Sequence, residues 1–197
     1  MAGPPQLSSR PARPNILRYV ILVLVALIVL VGLVVLIIWL TVRPKRLSYT
    51  VESAAVHNFD MSTTQLNASF NFGVKAYNPN RHVSVYYDHV TVTVGFGDQD
   101  LAFGVIKPFY QPHKDVTWLN MDLNAKNFLL HDSVSKDLAL EKAAGEMDLD
   151  LWIKARIRFK VGVWKSGHRT LRIRCSPVIV YLSKDKEFKR TACFTEV

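Results

Sequence analysis

Only two cysteines, Cys175 and Cys193, occur in the 197 residues, with nine glycines and nine prolines. So few cysteines exclude a small scaffold held by many disulfides, and the low glycine and proline exclude collagen-like chains. No GxSxG or HExxH string is present, so neither a hydrolase nucleophile elbow nor a helical zinc-protease site is written here. His57, His82, His89, His113, His131 and His168 are scattered without metal-ligand spacing. Asp98 with Asp100, and Asp148 with Asp150, offer two carboxylates where calcium takes about six to eight oxygens. Gly95-Phe96-Gly97 opens no helix and reads as a turn, not a dinucleotide fingerprint. The sequence therefore offers no catalytic residue, cofactor or metal site.

What is present is unevenly spread. The net charge is +9, which would ordinarily raise nucleic acid as a partner. Residues 1–42 carry three arginines and no acid, residues 43–150 ten basic and thirteen acidic side chains, and residues 151–197 twelve and three. The basicity is local, and no nucleic-acid-binding motif accompanies it, so nucleic acid is not an expected partner.

From Tyr19 to Val42 there is no charge at all. As a helix this stretch spans roughly 36 Å, enough for a hydrocarbon core of about 30 Å. It lacks the polar stripe of a soluble helix, and Tyr19 and Trp39 stand near its ends, where aromatic rings prefer the interface. It is too long for a signal-peptide core and ends in Trp39-Leu40-Thr41-Val42 rather than in small residues. The expected organisation is a disordered cytosolic tail over 1–18, a transmembrane signal-anchor helix over 19–42 and an extracellular domain over 43–197. Basic residues balance on the two sides of the helix, Arg10, Arg13 and Arg18 against Arg43, Lys45 and Arg46; the sequon Asn67-Ala68-Ser69 favours the C-terminal part lying outside the cytosol, with Asn67 as a glycosylation site.

The remainder alternates with period two. Leu66 to Ala76 is apolar at every second residue, which sets Asn67 on the solvent face, and Asn78-Pro79-Asn80 then reads as a turn. From Glu146, the residues Met147, Leu149, Leu151, Ile153, Ala155, Ile157, Phe159 and Val161 point one way, and the charged residues with Trp152 the other. Further strands are expected at 47–56, 82–96, 101–106, 116–123, 170–182 and 188–194, and one helix over about 129–144. Seven or eight strands imply an all-β fold, an antiparallel β-sandwich.

Tyr77-Asn78-Pro79-Asn80, Val85-Tyr86-Tyr87-Asp88, Pro108-Phe109-Tyr110-Gln111-Pro112-His113-Lys114-Asp115-Val116-Thr117 and Lys160-Val161-Gly162-Val163-Trp164-Lys165-Ser166 occur in this order. The series resembles the plant harpin-induced, disease-resistance-type membrane proteins with a late embryogenesis abundant group-2 domain. The resemblance implies a type II plasma-membrane protein with a fibronectin III or immunoglobulin-like sandwich outside the cell. It further implies a non-enzymatic part in defence or stress response at the boundary of plasma membrane and cell wall. The alternative is a generic stress-protective domain with no specific ligand. Lipid-anchored relatives differ from this chain, whose last residues show no apolar tail.

Two groups of residues remain as sites. A hairpin turning near Lys184-Asp185 would set Cys175 opposite Cys193; they are either a cross-strand disulfide or two small core residues. Between Lys154 and Arg174 lie eight Lys/Arg and no acid. Lys154, Arg156, Arg158 and Lys160 share one strand face, with Arg172 and Arg174 on its expected neighbour. This face would suit an anionic partner, either cell-wall polysaccharide or lipid headgroups, and a membrane receptor is the third candidate partner of the domain. A plain solvated face is the competing reading. The lipid bilayer is the other partner, through the helix, and the sequence leaves the oligomeric state open.

Overall fold

Apolar residues without interruption give a helix, and period-two alternation gives sheet, so the chain divides where its pattern changes. A computed structural model describes residues 16–42, 45–182 and 186–197. The proline-containing tail before Ile16 and the Lys184-Asp185 turn lie outside the described residues. Two compact units result, Met1–Arg43 and Pro44–Val197.

The first unit holds α1 (Ile16–Val42), 27 residues and so about 40 Å long. It begins one turn before Tyr19 and takes in Arg18. Its residues Ile16–Ile37 are long and apolar enough to cross a membrane, and their side chains are exposed all round.

In the second unit the strands are β1 (Ser48–Ser62), β2 (Gln65–Tyr77), β3 (Val83–Phe96), β4 (Gln99–Ile106), β5 (Phe109–Gln111) and β6 (Val116–Leu129). A helix, α2 (Asp132–Ala144), precedes β7 (Glu146–Val161), β8 (Trp164–Lys165), β9 (Arg169–Tyr181), β10 (Thr191–Ala192) and β11 (Phe194–Glu196). They form two antiparallel sheets. One runs β10-β1-β2-β6 and the other β11-β9-β7-β3-β4, with β5 beside β3 and β8 beside β7. Phe70, Phe72 and Val74 of β2 and Met121 and Leu123 of β6 join Leu149, Leu151 and Ile153 of β7 and Val90, Val92 and Val94 of β3 in one buried core. The fold is the antiparallel sandwich that the alternation implies.

Three local readings are corrected. The segment 188–194 is not one strand against β9. Both sheets present an edge at this corner, and the chain divides its hydrogen bonds between them: β10 pairs with β1 and β11 with β9. Cys193 makes the crossing, its N–H donating to the Tyr49 carbonyl at 3.0 Å. The helix begins at Asp132, not Leu129, because Leu129 still belongs to β6 and the Leu130 N–H donates to the Thr64 carbonyl. Gly95 lies inside β3; the turn to β4 is made at Gly97, whose φ of 60° favours glycine.

Asn78 and Asn80 of the string Asn78-Pro79-Asn80, and Gln111 between the exposed Tyr110 and Pro112, turn out to form a buried polar cluster. Asn78 donates both Nδ2 hydrogens, to the Val83 carbonyl at 2.8 Å and the Pro112 carbonyl at 2.9 Å. Its Oδ1 accepts the N–H and the Nδ2 of Asn80. Asn80 in turn brackets Lys45, accepting its N–H and donating to its carbonyl. Gln111 donates to the Ala76 carbonyl and accepts the Tyr87 hydroxyl at 3.1 Å. Tyr87 therefore receives the proton of the Tyr49 hydroxyl, 2.5 Å away. Burial, first of all, raises the pKa of both phenols far above the ordinary value, so the cluster stays neutral. Every donor it uses meets an acceptor, which is what lets such polar groups sit inside a core.

Candidate anion-binding face

The outer face of the seven-stranded sheet is set by register. Opposite Trp152 of β7 stand Thr93 of β3 and Arg174 of β9; opposite Lys154 stand Thr91 and Arg172; opposite Arg156 stand His89 and Thr170. The rows extend outward, Phe103 facing Thr93 and Val105 facing Thr91 on one side, Phe194 facing Arg174 and Glu196 facing Arg172 on the other. A trough of about 530 Å³ lies over the first two rows. A second hollow of about 360 Å³, lined by His89, Arg156, His168 and Arg169, shares Thr91 and Lys154 with it.

Lys154 and Arg172 are thus like charges directly opposed, an arrangement that costs a few tenths of a kcal/mol in a sheet. Glu196 is the acid of the trough. Trp152 lies across Gly95, where a β-carbon would collide with the indole, so glycine at 95 is what allows the ring to lie over the strand. The exposed rings of Phe103 and Phe194 continue the same row.

Not all six basic residues are equivalent. The β3–β7 register slips between Tyr87 and His89, a bulge that turns Tyr87 inward to the polar cluster and Asp88 outward. Asp88 accepts two hydrogen bonds from Arg158, at 2.7 and 2.6 Å, and lies 3.5 Å from His168. The Arg158 hydrogen bonds hold the Asp88 carboxyl below the usual carboxylate range, against a smaller opposing effect of desolvation. The pair's contribution to stability is therefore present above the ordinary aspartate pKa and lost as pH falls through the lowered one. Arg158 also lies over the Tyr86 ring, 5.7 Å from its centroid. Its charge is committed. Among the described residues, Lys154, Arg156, Lys160, Arg172 and Arg174 take part in no ion pair. Lys160 stands apart from the trough, opposite Lys165 and Ser84.

Cys175 is buried and joined to Cys193 by a disulfide, with the Cα atoms 4.2 Å apart. The bridge ties β9 to the crossing between the sheets. Asn67 is on the outer face of the four-stranded sheet, half-buried, its Oδ1 accepting the Asn127 N–H at 2.8 Å. It is remote in the sheet order from the basic trough.

Sequence reasoning assigned no site role to Trp152, Phe103 or Phe194, nor to the buried amides. The signal for Trp152 was its outward phase in β7. The two phenylalanines could be placed beside it only once the pairing of β4 and β11 was known.

An apolar helix followed by an antiparallel sandwich that carries a basic, aromatic trough on the outer face of one sheet is the class of protein these features define. Residues 73–176 match the late embryogenesis abundant protein family, and the chain belongs to it. It is 36% identical over 94% of its length to Uncharacterized protein At1g08160 of Arabidopsis thaliana, covering 86% of that protein. It is 32% identical to NDR1/HIN1-like protein 3 of the same plant, over 87% of this chain and 77% of the relative. The solved structure of AT1g01470 from Arabidopsis thaliana aligns with 72% of this chain and 85% of its own, at 19% identity and a TM-score of 0.35.

Proposed function

We propose that this chain is a single-pass, type II plasma-membrane protein and a non-enzymatic binding module. In this reading α1 anchors it, the sandwich lies outside the cell with Asn67 glycosylated, and the trough holds a linear acidic polysaccharide of the wall. Its physiological setting is plant defence or stress response. The NDR1/HIN1-like name of the 32% identical relative supports that setting.

The observation that carries the proposal is the trough itself. Among the described residues, Lys154, Arg172 and Arg174 converge there without ion-pair partners, on a floor formed by Trp152 and threonines. Carboxylates would relieve the repulsion between opposed cations, and an indole face suits the apolar face of a sugar ring. Compared with a solvated face, this arrangement concentrates charge in a concavity, where the field on a polyanion is strongest.

The test is retention of the full chain, in detergent, on immobilised polygalacturonate over a salt series. Lys154→Glu with Arg172→Glu is expected to weaken retention at least about tenfold, which corresponds to about 1.4 kcal/mol. Lys126→Glu with Lys136→Glu, equal in charge but placed on β6 and α2, should leave most of it. Equal losses from the two pairs would point to generic charge attraction and remove the trough from the account.

A further inference from the structure

The tip of the hairpin from β7 to β8 belongs neither to the core nor to the trough. Gly162, with φ of 57°, turns the chain, and Val163 and Trp164 stand out from it, 102% and 61% exposed. The hairpin is held at its base. The Ser166 N–H donates to the Phe159 carbonyl at 2.8 Å, and its Oγ accepts the Phe159 N–H at 2.9 Å. Lys160 and Lys165 oppose each other just behind the tip, the second lying 4.9 Å from the Tyr86 ring centroid. Two exposed apolar side chains are thus presented to the surroundings on a braced loop with cations behind them.

The pairing also fixes which end of the sandwich this is. Val161 stands opposite Val83, the first residue of β3, and Asn80 just before it brackets Lys45. Ser48, the first residue of β1, stands opposite Tyr77. The tip therefore shares an end with the point where the sandwich's own chain begins. Arg81 is exposed beside Asn80, and the Lys114 N–H donates to the Asn80 carbonyl, so these basic residues join Lys160 and Lys165 there. The Asp115 carboxylate at this end accepts the Thr117 hydroxyl at 2.8 Å.

We infer that this end docks on a bilayer, Val163 and Trp164 passing into the headgroup region while Lys160 and Lys165 meet lipid phosphates. The chemistry matches what an interface rewards: an indole at headgroup depth, a small apolar neighbour, and long cationic side chains that keep their charge in the polar layer. The inference rests on the reading of α1 as the membrane anchor. Only Arg43 and Pro44 separate Val42 from Lys45, so an anchored chain delivers this end to the surface, and the contact needs no separate recruitment.

The full chain, reconstituted into vesicles of phosphatidylcholine and phosphatidylserine, tests this when the acyl chains carry bromine near the headgroups. Flotation reports anchoring. The emission of Trp164 is the difference between the wild type and Trp164→Phe. That difference should lose roughly half or more of its intensity in brominated lipid, as expected for a ring at headgroup depth. Val163→Asp should return most of it. A chain that floats but gives the same Trp164 emission in plain and brominated lipid overturns the docking alone, and leaves the tip facing water or another macromolecule. A chain that does not float sinks the anchoring reading and this inference with it.

Discussion

Asn78→Ala lowers the stability of the sandwich by about 4 kcal/mol, as measured by urea unfolding at constant slope. The side chain is fully buried and makes four hydrogen bonds. Its loss strips the Val83 and Pro112 carbonyls of a donor and two Asn80 groups of their acceptor. A buried polar group left unpaired costs about 1–3 kcal/mol; the Asn80 amide keeps its bond to Lys45, and about 4 kcal/mol over the other three groups consumes much of a domain stability of about 5–15 kcal/mol. Asn78→Asp should be no better, because it replaces two donors with acceptors that face carbonyl oxygens. Asn71→Ala, an exposed amide on β2 that bonds Asp122, should cost under about 1 kcal/mol. If Asn78→Ala were as mild, the cluster would not be holding the loops together.

Replacing both Cys175 and Cys193 with Ala should cost about 3 kcal/mol, the chain-entropy value for a closed loop of this size; the two are 18 residues apart. The substitution should act most on β10 and β11, whose pairing with β1 and β9 is short, two and three residues respectively. Reductant should lower the wild-type unfolding midpoint to that of the double variant and leave the variant unchanged. A wild-type midpoint indifferent to reductant would mean that the bridge adds nothing to the stability of the crossing.

The features of this fold differ widely in how far the sequence reveals them. The sixteen-residue alternation of β7 was plain from the sequence because a half-buried strand writes its two faces directly into residue order. The apolar core positions of α2, Val134 and Leu138, were legible for the same reason at helical spacing. Asn78 was not. Asn-Pro-Asn has the composition of an exposed turn, and only the arrival of Val83, Pro112 and Lys45 around it makes it a buried hub. The trough was half legible: the outward phase named Lys154, Arg156 and Trp152, whereas the partners opposite them depend on how separate strands align. Arg158 illustrates the limit best. Its phase matched that of Arg156, yet a one-residue bulge at Asp88, invisible in the pattern, brings it a carboxylate. The C-terminal segment failed for a topological reason, since a single run of residues serves two sheet edges.

In the topology proposed above, an anchored helix holds the sandwich, with its trough, on the outer side of the plasma membrane. Protease added to intact protoplasts expressing the full chain, tagged at its C-terminus, measures this most directly. In that topology the tag and the sandwich are cut while the cells remain sealed. A sandwich that survives until the protoplasts are lysed would contradict it.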